Sequence, residues 1–274
     1  MLCSSMKKQK AARPFAFSFF LPFLFFFFLF SFPAARAGAA NGPGPLGLVR
    51  PLAPYGIFST FSAFSLPEGA TSVSYTIERS KDPSFYRHTL GFSYGISSRA
   101  ELTADLPYVD SIDSTSGFED FGAAFKYRFC DVGHYRPAAA MLVFGYLPTG
   151  EGGLSRSGGG GGGLALSRPL GPLMAHANFI YTVSGKASLH DEFDFLSGLE
   201  FAATHNLRVL GEFQLRKSAV TDNVDRSEVR FGYRLSSGDI YNTFGLGFDL
   251  KKRHPKFRII FSIGASFGAI ARRI

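Results

Sequence analysis

The sequence predicts an all-β protein, an antiparallel transmembrane β-barrel of twelve strands preceded by a cleaved signal peptide. Runs of about ten residues alternate between apolar and polar side chains along most of the chain, which places the two sets on opposite faces of a strand. The connections between these runs are alternately short and long. Short turns at one end and long loops at the other are typical of bacterial outer-membrane barrels.

Residues 1–37 are predicted to form the signal peptide. A basic start at Lys7-Lys8 precedes an apolar run from Phe15 to Phe32, and Ala35-Arg36-Ala37 offers small residues at the spacing of a cleavage site. An uncleaved membrane anchor is the alternative for so long a run, but Pro22 in its middle and the cleavage site favour removal. The mature chain is therefore expected to leave the cytoplasm.

Charge and cysteine content exclude two classes of protein. The formal net charge is +8, but five of the positive charges lie in the signal peptide, so the remainder of about +3 is too small for a nucleic-acid-binding surface. Of the two cysteines, Cys3 lies in the signal peptide. Cys130 alone can form neither an internal disulfide nor a thiolate metal cluster.

Residues 38–70 are expected to form an extended N-terminal segment near the periplasmic mouth. Within it, Asn41–Pro54 is rich in Gly and Pro, and Tyr55–Ser65 is extended but poorly phased. Counting Tyr55–Ser65 as a strand would give thirteen, whereas bacterial single-chain barrels have an even number of strands. We therefore place this segment at or inside the mouth, the barrel at residues 71–268 and a tail at 269–274.

The barrel strands share a period of two. In the second strand, for example, Leu90 and Phe92 alternate with Gly91 and Ser93. Gly163–Arg168 is the shortest and weakest run, which leaves ten or fourteen strands as alternatives. The twelve predicted strands are Thr71–Glu78, Tyr86–Ile96, Arg99–Val109, Phe118–Phe129, Tyr135–Leu147, Gly163–Arg168, Leu173–Val183, Phe193–Ala203, Leu207–Arg216, Ser227–Leu235, Ile240–Leu250 and Phe257–Gly268.

The charged side chains of each strand share one phase, and this phase is predicted to face the lumen. A Lys or Arg at the lipid midplane costs about 2–4 kcal/mol, so the nearly uncharged phase must face lipid. Positive and negative charges are balanced, which argues against a strongly ion-selective pore; they either line a conducting or binding lumen or pair and fill it. The predicted lumen-lining residues are Arg99, Glu101, Asp105, Lys126, Arg128, His176, Asn178, Glu200, Arg208, Glu212, Arg230, Arg234, Asp249 and Arg258, with Glu78, Asp120, Arg216 and Glu228 in the same phase.

No catalytic residue, metal site or cofactor is predicted. Gly158–Gly163 matches a dinucleotide-binding pattern only because every position is glycine, and it is predicted to be a flexible external loop. His190-Asp191-Glu192 with Asp194 is interpreted as a solvated loop, since no second ligand cluster has recognisable spacing. His176 and Asn178 share one face, but the sequence identifies no nucleophile opposite them.

Several segments, taken in order, resemble the meta-pathway phenol-degradation, transporter-like family of outer-membrane barrels. The resemblance covers about Leu66 to Gly268 and implies a Gram-negative outer-membrane barrel linked to uptake of aromatic or other apolar compounds. Two features depart from the family: the glycine run, and a C-terminus that continues past Phe267 where barrels usually end on an aromatic residue. The segments are GISSRAELTADLPYV (Gly95–Val109), GFEDFGAAFKYRF (Gly117–Phe129), YLPTGEG (Tyr146–Gly152), HANFIYT (His176–Thr182), RVLGEF (Arg208–Phe213) and EVRFGYRL (Glu228–Leu235).

The predicted function is a passive channel or facilitator for small molecules, aromatic or apolar ones included. The expected partners are outer-membrane lipid, the barrel assembly machinery and an unidentified small solute, and not nucleic acid. Two alternatives remain: a closed structural barrel whose long loops bind partners, and a membrane-embedded enzyme that modifies lipid.

Overall fold

The computed structural model describes residues 56–81, 84–112, 115–155, 157–185, 190–218, 224–251 and 257–268. The predicted signal peptide, residues 38–55 and the tail lie outside the described residues. Within them, no helix is long and apolar enough to cross a membrane.

The described part of the chain forms thirteen strands and one short 3-10 turn at Gly152–Leu154. The strands are β1 (Thr71–Lys81), β2 (Phe85–Gly95), β3 (Ala100–Ile112), β4 (Thr115–Phe118), β5 (Phe121–Cys130), β6 (Ala138–Leu147), β7 (Gly159–Leu170), β8 (Leu173–Ser184), β9 (Glu192–Ala202), β10 (Leu207–Ser218), β11 (Val224–Ser237), β12 (Ile240–Asp249) and β13 (Phe257–Phe267).

Antiparallel pairing closes these strands into a barrel. Each long strand pairs with its neighbours in the chain, and β1 pairs with β13 from Thr71↔Phe267 to Lys81↔Phe257. The four-residue β4 pairs only with β3, beyond the end of β5. β4 and β5 together therefore occupy the position of one strand in the barrel wall. The predicted twelve-stranded barrel is therefore confirmed among the described residues. Closure leaves no unpaired strand edge to face hydrocarbon.

The predicted single strand Phe118–Phe129 is broken. Asp105 pairs with Gly122 and Tyr108 pairs with Phe118, so three residues of one strand oppose two of the other, which is a β-bulge. Pro107 lies in the affected stretch of β3. Glu119 and Asp120, between β4 and β5, are both buried.

The outer surface of the barrel is apolar and its interior is largely polar. Leu90, Leu199 and Phe231 are about half exposed on the outside, whereas their strand neighbours Ser93, Glu200 and Arg230 are buried inside. This arrangement is the reverse of a soluble protein and is that of a transmembrane barrel, whose outer face meets lipid.

The prediction that the glycine run forms an external loop is wrong. Gly159–Gly163 belongs to β7 and pairs residue by residue with β6 and β8. The absence of side chains is required here, because a Cβ on Gly161 would lie 2.6 Å from Cζ of Phe144 and 2.1 Å from the carbonyl oxygen of Tyr181. The short strand predicted at Gly163–Arg168 therefore becomes the full-length β7.

Candidate functional site: a lumen occupied by an N-terminal hairpin

Residues 56–66 lie inside the barrel and are called the lumen hairpin below. The backbone N–H of Ile57 donates to the carbonyl oxygen of Thr60 at 3.0 Å, and Gly56 forms an isolated antiparallel β-bridge with Phe61. The chain therefore reverses direction here. Residues 67–70 lead from the hairpin to β1, and the N–H of Gly69 donates to the carbonyl of Gly95 at 2.8 Å. The hairpin therefore enters at the end of the barrel where β1 begins, which we call the turn end.

Glu212 of β10 binds the tip of the hairpin. Its Oε2 accepts the backbone N–H groups of Ser59 at 2.7 Å and Thr60 at 2.8 Å, and the Thr60 hydroxyl at 2.8 Å. Its Oε1 accepts Nη1 of Arg230 at 2.7 Å, and the same Nη1 donates to the hydroxyl of Ser59. Hydrogen bonds to a charged acceptor are about twice as strong as neutral ones, so this carboxylate is a principal anchor.

Asn178 of β8 binds the backbone of Phe61 on both sides. The N–H of Phe61 donates to Oδ1 at 2.6 Å, and Nδ2 donates to the carbonyl of Phe61 at 2.8 Å. Next to it, Oγ of Ser167 accepts the N–H of Ala63 at 2.8 Å. Asn178 and Ser167 are each 1% exposed, so the hairpin satisfies polar groups that are shielded from water.

Further predicted lumen residues hold the two arms of the hairpin. Nζ of Lys126 donates to the carbonyl of Phe64 at 2.7 Å and lies 3.3 Å from Glu101, whose other oxygen accepts the N–H of Leu66 at 2.7 Å. Nη2 of Arg234 donates to the carbonyl of Gly56. The carbonyl oxygen of Arg99 accepts the hydroxyl of Ser65 at 3.3 Å. The residues from the predicted lumen set that bond to the hairpin are thus Arg99, Glu101, Lys126, Asn178, Glu212, Arg230 and Arg234.

Of the other predicted lumen residues, Arg128 places its guanidinium over the ring of Phe64, 5.7 Å from the ring centroid, and several pair with wall residues instead. Arg258 pairs with Glu78 in the interior, and Arg208 pairs with Glu200 at 3.0 Å. Asp105 is buried on the inner face of β3. His176 is buried beside Ser167 on the inner face of β8.

Three predicted lumen residues lie near the rims. Arg99 is in the turn between β2 and β3, half exposed, and its guanidinium is 2.5 Å from Asp131. Arg128 lies 3.1 Å from the same Asp131 and donates to the carbonyl of Ser98 at 2.8 Å. At the opposite end, Asp249 accepts the backbone N–H of Lys251 at 2.8 Å.

Sequence reasoning missed several interior groups. Arg87 is buried and pairs with Glu119 at 2.6 Å, and buried Asp194 accepts Nε of Arg216 at 2.9 Å. The alternation of β2 and β9 could have identified Arg87 and Asp194, which share the inward phase of Ser93 and Glu200. Glu119 could not be found this way, because the bulge shifts its phase.

The acidic residues near His190 do not come together as a metal site, because they lie on opposite faces of the sheet. Asp194 faces the interior, whereas Asp191 accepts the hydroxyl of the outward-facing Tyr181 at 2.8 Å. Among the described residues there is no group of side chains that could hold a metal ion.

The wall of the lumen has two chemically different sectors. The apolar sector is the inner face of β5 to β8 with Leu196 of β9, and the buried ring of Phe61 packs into it. The charged sector is the inner face of β10 to β13 and β1 with Asp194 of β9. The apolar cluster consists of Phe61, Ala124, Leu142, Phe144, Tyr146, Ala165, Ile180 and Leu196. The buried charges of the other sector are Glu78, Asp194, Glu212, Arg216, Glu228, Arg230, Arg234 and Arg258.

The connection between β6 and β7 folds into the opposite end of the lumen. The carboxylate of Asp120 accepts the N–H of Gly150 at 2.9 Å, the hydroxyl of Ser155 at 2.8 Å and the N–H of Gly158 at 3.3 Å. Leu154 packs against buried Phe85 and Val109, which lie on inner faces of β2 and β3. The interior is therefore narrowed by the hairpin at the turn end and by this connection at the other.

Ser167, His176 and Glu200 lie side by side on β7, β8 and β9. Oγ of Ser167 is 2.8 Å from Nδ1 of His176, and Nε2 of His176 is 3.4 Å from Glu200. The sequence of hydroxyl, imidazole and carboxylate is that of a serine catalytic triad. However, Oγ of Ser167 already accepts the N–H of Ala63, and it faces the lumen rather than lipid. This line of groups connects the hairpin to the wall.

No protein-family model and no curated protein sequence matches this chain. Solved structures match it in fold. The COG4313 outer membrane channel from Pseudomonas putida F1 has a TM-score of 0.57 at 15% identity, over 75% of this chain and 98% of that one. The NanC porin has a TM-score of 0.56 at 11% identity, over 72% and 99% of the two chains. The KdgM porin in complex with disordered oligogalacturonate has a TM-score of 0.54 at 10% identity, over 72% and 99%.

At these identities the three structures establish the barrel fold alone. All are described as outer-membrane channels or porins. The resemblance to the meta-pathway phenol-degradation family stays a prediction.

Proposed function

We propose that this chain is a channel of the bacterial outer membrane through which small molecules pass passively. The observation that carries the proposal is the lumen itself: a closed barrel whose interior is filled by a short hairpin that belongs to no strand of the wall. Wall side chains hold the hairpin through hydrogen bonds and packing, and such contacts can be exchanged without opening the sheet. The channel fold of the structural neighbours supports the same function.

The solutes are proposed to be small and in part apolar, with aromatic compounds included. The apolar sector supports this, because a cluster of Leu, Ile, Phe and Tyr side chains on the inner wall is unusual for a water-filled pore. The family resemblance supports the same class of solute. Lipid of the outer membrane surrounds the barrel in this proposal, and the barrel assembly machinery inserts it.

Passage is proposed to require movement of the lumen hairpin. Its residues Thr60, Phe61 and Ala63 are buried against the wall at both sectors. A solute that crosses the lumen must therefore displace these residues or pass beside them.

The test is single-channel conductance in a planar bilayer, with wild-type protein and a variant that lacks residues 56–66. We expect discrete conductance steps from both proteins and several-fold larger steps from the deletion variant. Heat-modifiable migration on a gel verifies that each protein forms a barrel. A folded deletion variant without conductance would contradict the channel and favour the closed structural barrel.

A reversible tether provides the matched control. The hydroxyl oxygens of Ser62 and Ser167 are 3.4 Å apart, so cysteines at both positions lie within reach of a disulfide after a small adjustment. In a Cys130→Ser background, the oxidised Ser62→Cys/Ser167→Cys protein should conduct less than the same protein after reduction. Equal conductance in both states would show that solutes pass beside the hairpin.

We propose no enzymatic activity for this chain. A lipid-modifying enzyme would need its nucleophile at the lipid-facing surface, whereas Ser167 is buried in the lumen beneath Ala63. The Ser167–His176–Glu200 line is instead proposed to anchor the hairpin.

A further inference from the structure

We propose that the pocket now filled by Phe61 is a binding subsite for solute, and that it selects a compact apolar group carrying a hydrogen-bond donor and an acceptor side by side. The pocket consists of Asn178 and of the apolar side chains around the Phe61 ring. The proposal rests on the channel function proposed above and names the class of solute that this channel recognises.

The apolar part of the pocket surrounds the ring of Phe61. Phe61 is 3% exposed and belongs to the apolar cluster formed by side chains of β5 to β9. Leu142, Ile180 and Leu196 in this cluster are each no more than 2% exposed. Phe61 is the one member of this cluster that comes from the hairpin, whereas all the others belong to strands of the wall.

The polar part of the pocket is the amide of Asn178. This single planar group accepts the N–H of Phe61 at 2.6 Å and donates to its carbonyl at 2.8 Å. An Asn side chain presents an acceptor and a donor in fixed positions, so only a group with a matching donor and acceptor satisfies both. A buried amide left without partners is costly, and a solute that lacks either group is therefore disfavoured.

Phe61 is held in the way that a ligand is held. It forms no part of the barrel sheet, and its ring and its peptide groups contact the wall through separate apolar and polar surfaces. When the hairpin moves, Asn178 and the apolar cluster face the lumen together. A molecule with an aromatic or branched apolar body next to an amide reproduces both contacts, so it competes with Phe61 for the pocket.

The test is calorimetric titration of purified protein in detergent micelles with N-acetyl-L-phenylalaninamide. This probe carries a ring beside amide groups, as Phe61 does. Because deletion of residues 56–66 removes both the ring of Phe61 and the peptide groups that occupy Asn178, we expect the deletion variant to bind the probe at least tenfold more tightly than wild type. N-acetylglycinamide lacks the ring and toluene lacks the amide, and each should bind the variant at least tenfold more weakly.

Two further substitutions, each made in the deletion variant, separate specific recognition of the probe from nonspecific apolar binding. Asn178→Leu keeps the size of the side chain and removes both hydrogen-bonding groups, so it should weaken binding of the probe at least tenfold. Thr182→Val changes another buried polar side chain of the same strand, with no described contact to Phe61, and should leave binding unchanged. Heat-modifiable migration verifies the fold of every variant.

A second measurement uses Phe61→Trp and does not depend on an emptied pocket. The chain contains no tryptophan, so the indole is the sole reporter. Its emission should be that of a buried indole and should shift to longer wavelength as the probe displaces it. The proposal is overturned if the folded deletion variant binds the probe no better than wild type, if Asn178→Leu has no effect on that binding, or if the indole emission of the Phe61→Trp protein is insensitive to the probe. Since binding is measured without a bilayer, these failures are distinct from an absence of conductance, which would contradict the channel itself.

Discussion

The charged sector and the apolar sector bind the same hairpin, but they do so with different physics. In the charged sector, the buried carboxylate of Glu212 accepts backbone N–H groups of the tip and is itself paired with the buried guanidinium of Arg230. In the apolar sector, the ring of Phe61 fits among aliphatic side chains, and the uncharged amide of Asn178 holds its backbone. The first sector fixes the hairpin by electrostatics among buried charges, and the second fixes it by shape.

The two sectors also differ in the side chains that fill the barrel interior. Long charged side chains fill the space in one sector and satisfy each other across neighbouring strands. In the other sector, the rings of Phe144 and Tyr146 fill the space, and the glycines of β7 leave room for them. Removal of a partner should therefore be the most damaging change in the charged sector, whereas addition of volume should be the most damaging change in the apolar sector.

The largest effect is expected at Arg230. Arg230→Met removes the partner of Glu212 at 2.7 Å and of Glu228 at 2.7 Å. Among the described side chains, buried Glu212 then has no charged partner, and Glu228 keeps only the longer contact with Arg258 at 3.6 Å. Breaking a buried pair in this way costs about 3–5 kcal/mol, so the free energy of unfolding should fall by that amount. Denaturant titration of the protein in detergent micelles measures it.

The matched control for Arg230 is Arg99→Met at the rim. The Arg99–Asp131 pair is half exposed, and such pairs contribute about 0–1 kcal/mol. If the two substitutions destabilise the barrel equally, the interior of the charged sector is hydrated, and the physical contrast between the sectors is wrong.

An intermediate effect is expected at Gly161 in the apolar sector. A Cβ at this position would lie 2.6 Å from the Phe144 ring, so Gly161→Ala overpacks the interior and should cost about 1–3 kcal/mol in the same titration. Gly145→Ala is the control, because its Cβ would meet only the carbonyl oxygen of Gly159 at an ordinary 3.7 Å. A tolerated Gly161→Ala would mean that both the Phe144 ring and the backbone of β8 at Tyr181 can move aside, and the apolar sector would then be less rigid than its packing indicates.

The alternation of side chains was sufficient to predict the barrel, its strand number and most of the inward residues. A period of two carries this information directly, since every strand of a barrel has one lipid face and one lumen face. The glycine run was mistaken for a loop because a strand of glycine has no alternation to detect. Its place in the wall depends on Phe144 of β6 and Ile180 of β8, which are distant in sequence.

The candidate site was predictable only in part. Phase alone placed Asn178 and Glu212 inside, but their role depends on the hairpin, whose residues Thr60 and Phe61 are more than one hundred positions away in the chain. The sequence of the hairpin has no regular period, because each of its residues meets a different strand. Such a segment is specified by the wall around it and cannot be derived from its own pattern.

The smallest effect is expected from a Thr→Val substitution made once in each sector. It compares the sectors most directly, because the change in the free energy of unfolding should have opposite signs in them. Thr182 of the apolar sector is 2% exposed, and its hydroxyl has no hydrogen-bond partner among the described residues. Thr182→Val should raise the free energy of unfolding by up to about 1 kcal/mol, because burying an unsatisfied hydroxyl is unfavourable. In the charged sector, the hydroxyl of Thr243 accepts Nε of Arg234 at 3.2 Å. Thr243→Val should lower the free energy of unfolding by about 1–2 kcal/mol, since it leaves a donor of a buried guanidinium without its partner. Equal signs in the denaturant titration would show that buried water satisfies Thr182, and the apolar sector would then be wetter than its side chains indicate.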